Sequence, residues 1–167
     1  MEFVVNVNYR GSLKKPVDLR KINATNSKLH VKPHQLVIRE KTGTVIFFRS
    51  GKFRVMGCVD PIDATFLALK YTFEIDKDDI PEIYSQSYTC TKKLGYNINL
   101  YKLSQCTCTL YNPELFGAIR MTKYNPVSVN VFSTGSVVAC GLKEPEDFYV
   151  ILEEIEAVCK LINMPIF

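Results

Sequence analysis

The stretch that decides the fold is Tyr111–Pro145, which reads YNPELFGAIRMTKYNPVSVNVFSTGSVVACGLKEP. Three of its landmarks recur earlier in the chain at a constant offset of 84 residues (135 − 51). They are a glycine after a hydroxyl residue, a glycine that ends an apolar run and a proline after an acidic residue: Gly51, Gly57 and Pro61 in the earlier copy, and Gly135, Gly141 and Pro145 in the later one. Self-similarity at a fixed offset marks a structural unit that is used twice. The sequence therefore predicts a pseudo-symmetric protein.

Each landmark has a mechanical reason. Ser50-Gly51 and Thr134-Gly135 lie between β-branched runs, where a tight hairpin needs a residue that tolerates a positive φ. Asp60-Pro61 and Glu144-Pro145 are typical of helix starts, since proline at the first helical position loses no useful donor and an acidic residue suits the helix N-terminus. The repeated unit is therefore predicted to be strand, hairpin, strand and helix.

Period-two alternation predicts half-buried strands. Phe3–Arg10 places apolar residues on one face and Asn6 and Asn8 on the other, which fits either an edge strand with solvated asparagines or a polar face that contacts a partner. In the two copies of the hairpin strand, Phe48 and Phe132 each end the face opposite the core. Two aromatic residues at equivalent positions of the repeats, both on the face opposite the core, indicate a surface that contacts a binding partner.

Helical spacing of apolar residues predicts two long helices that cover one face of a sheet. The first, Pro61–Ile75, spaces Ile62, Phe66, Leu69 and Phe73 three or four apart, and the last, Pro145–Ile162, has a core stripe. That stripe comprises Phe148, Ile151, Leu152, Ile155, Cys159 and Ile162. Two short helices are also expected, one after Pro16 with Leu19 and Ile22 inward and one over Asn97–Gln105 with Leu100 and Leu103 inward, and residues 24–34 are expected to form a loop. The acidic connector Asp76–Asp79 places the boundary between a first repeat, 1–79, and a second, 80–167.

Composition bounds the remaining possibilities. A chain of 167 residues that is 47% hydrophobic can form one core, or two fused halves that share one. The formal net charge of +4 is compatible with a phosphate backbone without being diagnostic. The start of the chain lacks a signal-peptide pattern and no uncharged run reaches membrane-spanning length, so we expect a soluble protein that is not secreted.

The chemistry of the side chains argues against an enzyme or a cofactor protein. No phosphate-binding loop, dinucleotide fingerprint or nucleophile elbow is present, so no catalytic residues, no cofactor and no enzymatic activity are expected. The six cysteines form no CxxC pair and are interpreted as reduced, mostly buried thiols. A zinc site built from Cys106, Cys108, His30 and His34 is the alternative, but its ligand spacing is not that of structural zinc sites, and no metal is expected.

These residues carry a family resemblance. Tyr111–Phe116, Arg120-Met121 and Cys140–Lys143 resemble the second half of the TATA-box-binding protein core domain, and Ile38–Glu40 followed by Phe48–Lys52 resembles its first repeat. The resemblance extends over about residues 3–162. It implies an α+β fold, a pseudo-two-fold saddle in which two fused repeats form one curved antiparallel sheet with helices on the convex face.

The resemblance also implies a function, since that family binds the minor groove and bends DNA. The expected protein is a transcription initiation factor that binds and bends double-stranded, A·T-rich promoter DNA and recruits a TFIIB-like factor and RNA polymerase. The implied location is nuclear, or the intracellular site of viral transcription for a virus-encoded copy. A membrane role is not implied.

The resemblance assigns site residues by position. The DNA-intercalating positions are Leu36, Phe48, Phe116 and Phe132. The positions that line the groove floor are Asn6, Asn8, Arg54, Met56, Ser87, Val138 and Cys140. The phosphate-contacting positions are Arg39, Arg49, Lys52, Arg120 and Lys143. The segment that would receive the TFIIB-like factor contains Glu114 and Leu115.

The sequence also departs from the family pattern. Met56 and Cys140 replace the usual threonines of the floor, and 12 residues separate Leu36 from Phe48 where 16 separate Phe116 from Phe132. The first long helix carries less positive charge than is usual in the family. An alternative function is therefore a protein-interaction module or decoy of the same fold with weak or lost DNA binding, and a DNA-bending assay separates the two hypotheses.

Overall fold

The computed structural model describes residues 3–20 and 28–163 of an α+β protein. The chain divides into two compact units, Val5–Ser87 and Met1–Val4 with Tyr88–Phe167. The sequence places the boundary between repeats at 79/80, whereas the units divide at 87/88, inside a strand.

The unit Val5–Ser87 is an antiparallel sheet with one long helix. Its strands lie in the order β2-β3-β4-β5-β1, and the helix α1 packs on β5. The elements are β1 (Val4–Ser12), β2 (Lys28–Lys32), β3 (Gln35–Arg39), β4 (Thr44–Phe48), β5 (Lys52–Cys58) and α1 (Pro61–Ile75). The prediction of a loop over residues 24–34 is wrong for β2. The residues of this strand alternate polar and apolar and pair regularly with β3, a short pattern that the polar residues around it obscure.

The second unit repeats this plan. Its strands lie in the order β6-β10-β9-β8-β7, and the helix α3 packs on β10. The elements are β6 (Glu82–Lys93), α2 (Leu100–Leu103), β7 (Thr109–Leu110), β8 (Ala118–Met121), a 3₁₀ turn (Thr122–Tyr124), β9 (Ser128–Phe132), β10 (Ser136–Leu142) and α3 (Asp147–Asn163). The predicted strand, hairpin, strand and helix are thus present in both units.

The repeated glycines lie where the backbone requires them. Gly51 and Gly135 turn the two hairpins with φ of 85° and 80°, as the sequence predicts. Gly57 and Gly141, with φ of 83° and 89°, lie at register shifts in β5 and β10. Because these are left-handed conformations next to an irregular ladder, the strand-end glycines mark β-bulges.

The helix starts differ between the repeats. Proline is the first residue of α1, and the Asp60 side chain accepts a hydrogen bond from the Ile62 amide at 2.7 Å. The corresponding prediction for Pro145 is wrong by two residues: a turn, in which the Phe148 amide donates to the Pro145 carbonyl, precedes the start of α3 at Asp147.

Of the two short helices expected, the second is present: the segment α2 buries Leu100 and Leu103 as predicted. The first is expected after Pro16, and much of its expected span, Ile22 included, lies outside the described residues. The described residues 16–20 form no helix; they include a turn at 19–20, and Leu19 is buried there.

The two long helices use their apolar residues differently. The helix α3 buries the predicted stripe from Phe148 to Cys159. The helix α1 is present where the spacing predicts it, but it packs on the sheet through a different face, formed by Ala64, Leu67, Ala68 and Tyr71.

An ion pair ties strand to helix in the first unit. Lys70 Nζ lies 2.6 Å from Glu40 Oε1, and the Tyr71 hydroxyl donates to the same oxygen. These hydrogen bonds, the one from Lys70 first, lower the pKa of Glu40, and the same carboxylate raises the pKa of Lys70.

The second unit uses the same chemistry with the partners exchanged. There the carboxylate is on the helix: Glu154 accepts from Lys123 Nζ and from the Tyr124 hydroxyl, both at 2.7 Å. The bond from Lys123 is the main reason that the pKa of Glu154 is lowered. Each contact links a long helix to the segment that follows a strand, since Glu40 follows β3 and Lys123 follows β8.

Within residues 3–20 and 28–163, no helix combines the length and the apolar character that crossing a membrane requires.

Candidate nucleic-acid interface

Each sheet has one face packed under its helix, and among the described segments none covers the other face. In β4, β5, β9 and β10 the burial alternates, so that every second side chain is fully buried and those between are half-buried or exposed. The open face of the first unit includes Asn6, Asn8, Arg54, Met56 and, in the part of β6 that belongs to this unit, Ser87, and that of the second includes Val138 and Cys140. All seven residues predicted for a groove floor therefore lie on the open faces.

The second unit presents a pair of aromatic rings at the end of its open face. Phe132 ends β9 and pairs with Ala118, and Phe116 lies in the loop just before β8. The two rings contact edge to face, with centroids 6.0 Å apart and planes at 72°. Phe116 is 49% exposed. An exposed aromatic pair at the end of a sheet has the form that an apolar wedge requires.

The first unit presents one of its two predicted wedges. Phe48 ends β4 on the open face, half-buried, and lies opposite Gln35. The prediction for Leu36 is wrong, because Leu36 is 0% exposed and pairs with the buried Phe47 on the core face. A side chain in that position cannot reach DNA.

The cause is the length of the loop. The strands β2 and β3 are joined by a two-residue turn, Pro33-His34, since Lys32 pairs with Gln35. In the second unit nine residues, 111–119, separate the pair Leu110 and Arg120. Leu36 is consequently the second residue of a strand, where the alternation turns it inward, whereas Phe116 is still in its loop.

The floor retains hydrogen-bonding groups next to its two unusual residues. Met56 lies opposite Thr44, and Cys140 lies between Ser128 and Thr89 on the neighbouring strands. All of these hydroxyl residues are half-buried on the open faces. Each of these two floor residues therefore has a hydroxyl group beside it on a neighbouring strand.

Asn6 also keeps groups for a ligand. Its Oδ1 accepts a hydrogen bond of 2.6 Å from the amide of Gly57, at the bulge in β5. That bond fixes the orientation of the side chain and leaves the two hydrogens of Nδ2 to donate. Donors are what the A·T minor groove accepts, because it presents adenine N3 and thymine O2.

A cationic pair in the first unit is a feature that the sequence analysis missed. Arg10 and Arg54 lie directly opposite each other on β1 and β5, both exposed, and Lys52 lies two residues from Arg54 on the same face. In the described part of the chain neither arginine forms an ion pair with a carboxylate. These three cations and Tyr84 line a shallow pocket beside Phe48. Alternation along β1 from Asn6 and Asn8 is the signal that could have found Arg10.

The predicted phosphate contacts all lie on the surface, and so does the predicted partner segment. The five cations that are predicted to contact phosphates are all exposed: Arg39, Arg49, Lys52, Arg120 and Lys143. Arg120 Nη2 donates to Ser128 Oγ at 2.9 Å, which holds its guanidinium along the edge of the open face. Glu114 and Leu115 lie in the loop that carries Phe116, and Leu115 is 83% exposed.

Comparison with known proteins agrees with this geometry. The family model described as transcription factor TFIID, or TATA-binding protein, matches residues 82–160. The TATA-box-binding protein of Methanococcus aeolicus is 32% identical over 94% of this chain and 93% of its own length. The TATA box-binding protein-like 2 of Rattus norvegicus is 29% identical over 90% of this chain and 47% of its own length.

A solved structure gives the same result. The Methanococcus jannaschii TBP has 28% sequence identity and a TM-score of 0.75, with coverage of 94% of this chain and 97% of that one. Its similarity extends through both units, so the α+β fold expected from the resemblance is confirmed. The chain belongs to the TATA-box-binding protein family of DNA-binding transcription factors.

Proposed function

We propose that this protein initiates transcription by binding A·T-rich promoter DNA in the minor groove with its open sheet faces and bending it. The observation that carries the proposal is the aromatic pair of the exposed Phe116 and the half-buried Phe132, which ends an open face lined with small polar side chains. Phe48 supplies a wedge in the first repeat. Insertion of such side chains between base steps unstacks them and kinks the duplex.

Three kinds of side chain divide the work of binding. The apolar wedges hold the bend, and the amide and hydroxyl groups of residues such as Asn6 and Thr89 donate to the acceptors of the groove. The exposed arginines and lysines neutralise phosphates and release counterions. Because Met56 and Cys140 contribute no strong donors, discrimination among A·T-rich sequences is expected to depend on how readily a site bends.

The loop around Leu115 is the part of the surface that would receive a TFIIB-like factor, and through it the polymerase. Leu115 is among the most exposed apolar side chains of the protein, at 83%. Glu114 is exposed beside it, and the Glu114 amide donates to Asn112 Oδ1 at 3.2 Å, which shapes the loop. An apolar side chain beside a carboxylate, presented on a shaped loop, fits a partner surface with an apolar socket next to a cation.

Fluorescence-detected bending of an A·T-rich duplex tests the proposal. We expect the unmodified protein to bend the duplex, and Phe132→Ala and Phe48→Ala to reduce both the bend and the affinity, the latter by about tenfold or more. The matched control is Phe73→Ala, which removes an exposed phenylalanine from α1, away from the sheet face. Melting temperatures establish that the variants are folded.

The outcomes are distinct. Bending that is lost with Phe132→Ala but kept with Phe73→Ala supports the wedge assignment, whereas bending that both sheet variants retain would contradict it. If the unmodified protein fails to bend the duplex even at low salt, the alternative is favoured: a protein-interaction module or decoy that has kept the fold without the DNA.

A further inference from the structure

The outer face of α1 carries an apolar stripe that no element within residues 3–20 and 28–163 covers. Ile62, Phe66, Leu69 and Phe73 are 76%, 64%, 48% and 58% exposed. They lie opposite the residues through which the helix packs on its sheet, such as Leu67 and Tyr71, which are 2% and 1% exposed. Scattered apolar residues on a surface need no explanation, but four aligned on one helix face form a continuous patch.

The spacing of this stripe is that of a helix-packing seam. Successive members are four, three and four residues apart, the alternation with which side chains of one helix interlock with those of another. A strand or an irregular segment does not match a row of side chains inclined along a helix axis. The occupant that fits is therefore a helix with an apolar face of its own.

The charges beside the stripe restrict the occupant further. One edge carries Asp63 and Glu74, and Asp60 lies at the start of the helix. The only basic residue of α1 is Lys70, whose Nζ is held 2.6 Å from Glu40 Oε1 and is thereby neutralised. The uncompensated charge along the stripe is negative, so a complementary partner has basic residues beside its apolar face.

The opposite edge of the stripe is uncharged. Thr65 occupies it, half-buried, and its hydroxyl donates to the backbone carbonyl of Pro61 at 2.9 Å. With one acidic and one neutral edge, the stripe accepts a partner helix in one preferred rotational setting, with its basic edge over Asp63 and Glu74. A second copy of the chain supplies the wrong charge, since its edge is acidic too.

We propose that the outer face of α1 docks an amphipathic helix of a partner protein, whose apolar seam is flanked by lysine or arginine. This surface lies on the side of the first unit opposite its open sheet face, because α1 packs on the core face of β5. Docking there leaves the proposed DNA-binding residues of that unit uncovered. The inference does not depend on DNA binding.

The probe is a synthetic helical peptide with leucines at alternating spacings of three and four and lysines along the seam, compared with the same peptide carrying glutamates. Fluorescence anisotropy at physiological ionic strength measures binding to the intact protein. We expect the lysine peptide to bind at least tenfold more tightly than the glutamate peptide. Phe66→Ser should abolish that binding, and Asp63→Lys together with Glu74→Lys should reverse the preference.

The control is Leu161→Ser, which removes an apolar side chain that is 65% exposed on α3 and should leave binding unchanged. Because Phe66 is exposed, Phe66→Ser is expected to retain the melting temperature, which is measured in parallel. The proposal is overturned if neither peptide binds, if both bind equally, or if Leu161→Ser weakens binding as much as Phe66→Ser. It is also overturned if sedimentation shows a dimer that Phe66→Ser dissociates, since the occupant would then be a second copy.

Discussion

Replacing Arg54 by valine tests how the first repeat holds DNA, because valine is the residue at the equivalent position of the second repeat, Val138. Arg54 lies directly opposite Arg10, whereas Val138 lies opposite Thr91. Like charges opposite each other in a sheet are unfavourable, and cross-strand pairs of this kind change stability by about 0.2–1 kcal/mol. Valine also suits a strand. We therefore expect Arg54→Val to leave the free protein as stable as before, or more stable by up to about 1 kcal/mol.

The same substitution is expected to weaken DNA binding. Removal of one phosphate-neutralising charge lowers the slope of log affinity against log salt by about 0.9. When the salt concentration rises from about 50 to about 200 mM, the unmodified protein is therefore expected to lose about 3.5 times more affinity than Arg54→Val does. Arg54→Val is thus expected to keep or raise the stability of the free protein while it lowers the affinity for DNA. A residue with only a structural role would not produce this combination.

Chemical denaturation measures the first effect, and titration of an A·T-rich duplex across a salt series measures the second. The controls are Arg54→Lys, which keeps the charge and should keep the slope, and Lys160→Ala, which removes an exposed cation from α3. If Arg54→Val destabilises the protein while the salt slope stays at its original value, then Arg54 has a structural role and the reasoning above is refuted.

Three further substitutions test the scaffold. Gly135→Ala is expected to destabilise the second repeat by more than about 1 kcal/mol, since φ is 80° and the new Cβ would clash with the Tyr96 carbonyl oxygen. Gly95→Ala is the comparison, because Gly95 also has a positive φ but its new Cβ would meet no atom within 4 Å. The difference between the two variants in a thermal melt therefore measures the cost of the clash alone. Glu40→Gln should cost about 1 kcal/mol at pH 7. Because the folded-state pKa of Glu40 is lowered, that difference is present above the ordinary value of 4.5 and disappears as the pH falls through the lowered value, which denaturation at several pH values would detect or exclude. Leu36→Ala should destabilise the protein by about 2–5 kcal/mol without changing the DNA bend angle that the folded protein produces. A smaller bend angle would indicate that Leu36 does insert between bases.

Much of the scaffold could be predicted from the sequence, because its signals are local. The glycines with positive φ and the alternation along each strand depend on neighbours within a few residues, and the repeat offset follows because these local signals occur twice. Gly51 and Gly135 turn hairpins as expected, and the stripe of α3 is buried. Local signals of this kind are reliable wherever one face of an element is buried.

The errors come from features that depend on distant partners. A proline lies three residues before both Leu36 and Phe116, but the pairing of Lys32 with Gln35 closes the first turn after two residues and rotates Leu36 inward. The helix α1 has apolar residues on two sides, and spacing alone does not say which side packs. Small residues such as Ala64 and Ala68 decide it, since they allow close approach to the sheet.

The two repeats share a scaffold but differ in the surface they offer DNA, and this difference has a measurable consequence. The first repeat has one proposed wedge, Phe48, beside three cations, whereas the second has two, the contacting rings of Phe116 and Phe132. Electrostatic attraction and unstacking of bases are separate contributions to binding, one dependent on salt and the other on deformation of the duplex. We therefore expect Phe132→Ala to change the bend and leave the salt slope intact, and Arg54→Val to do the reverse.

The double variant provides the decisive measurement. If the contributions are independent, the losses in binding free energy caused by Phe132→Ala and Arg54→Val add within about 0.5 kcal/mol, as expected for sites that share no partners. Fluorescence-detected bending and a salt series on the same duplex report the two effects separately. Equal effects of both substitutions on bend and slope would mean that the repeats act alike, and the asymmetry of their open faces would then have no part in how the protein holds DNA.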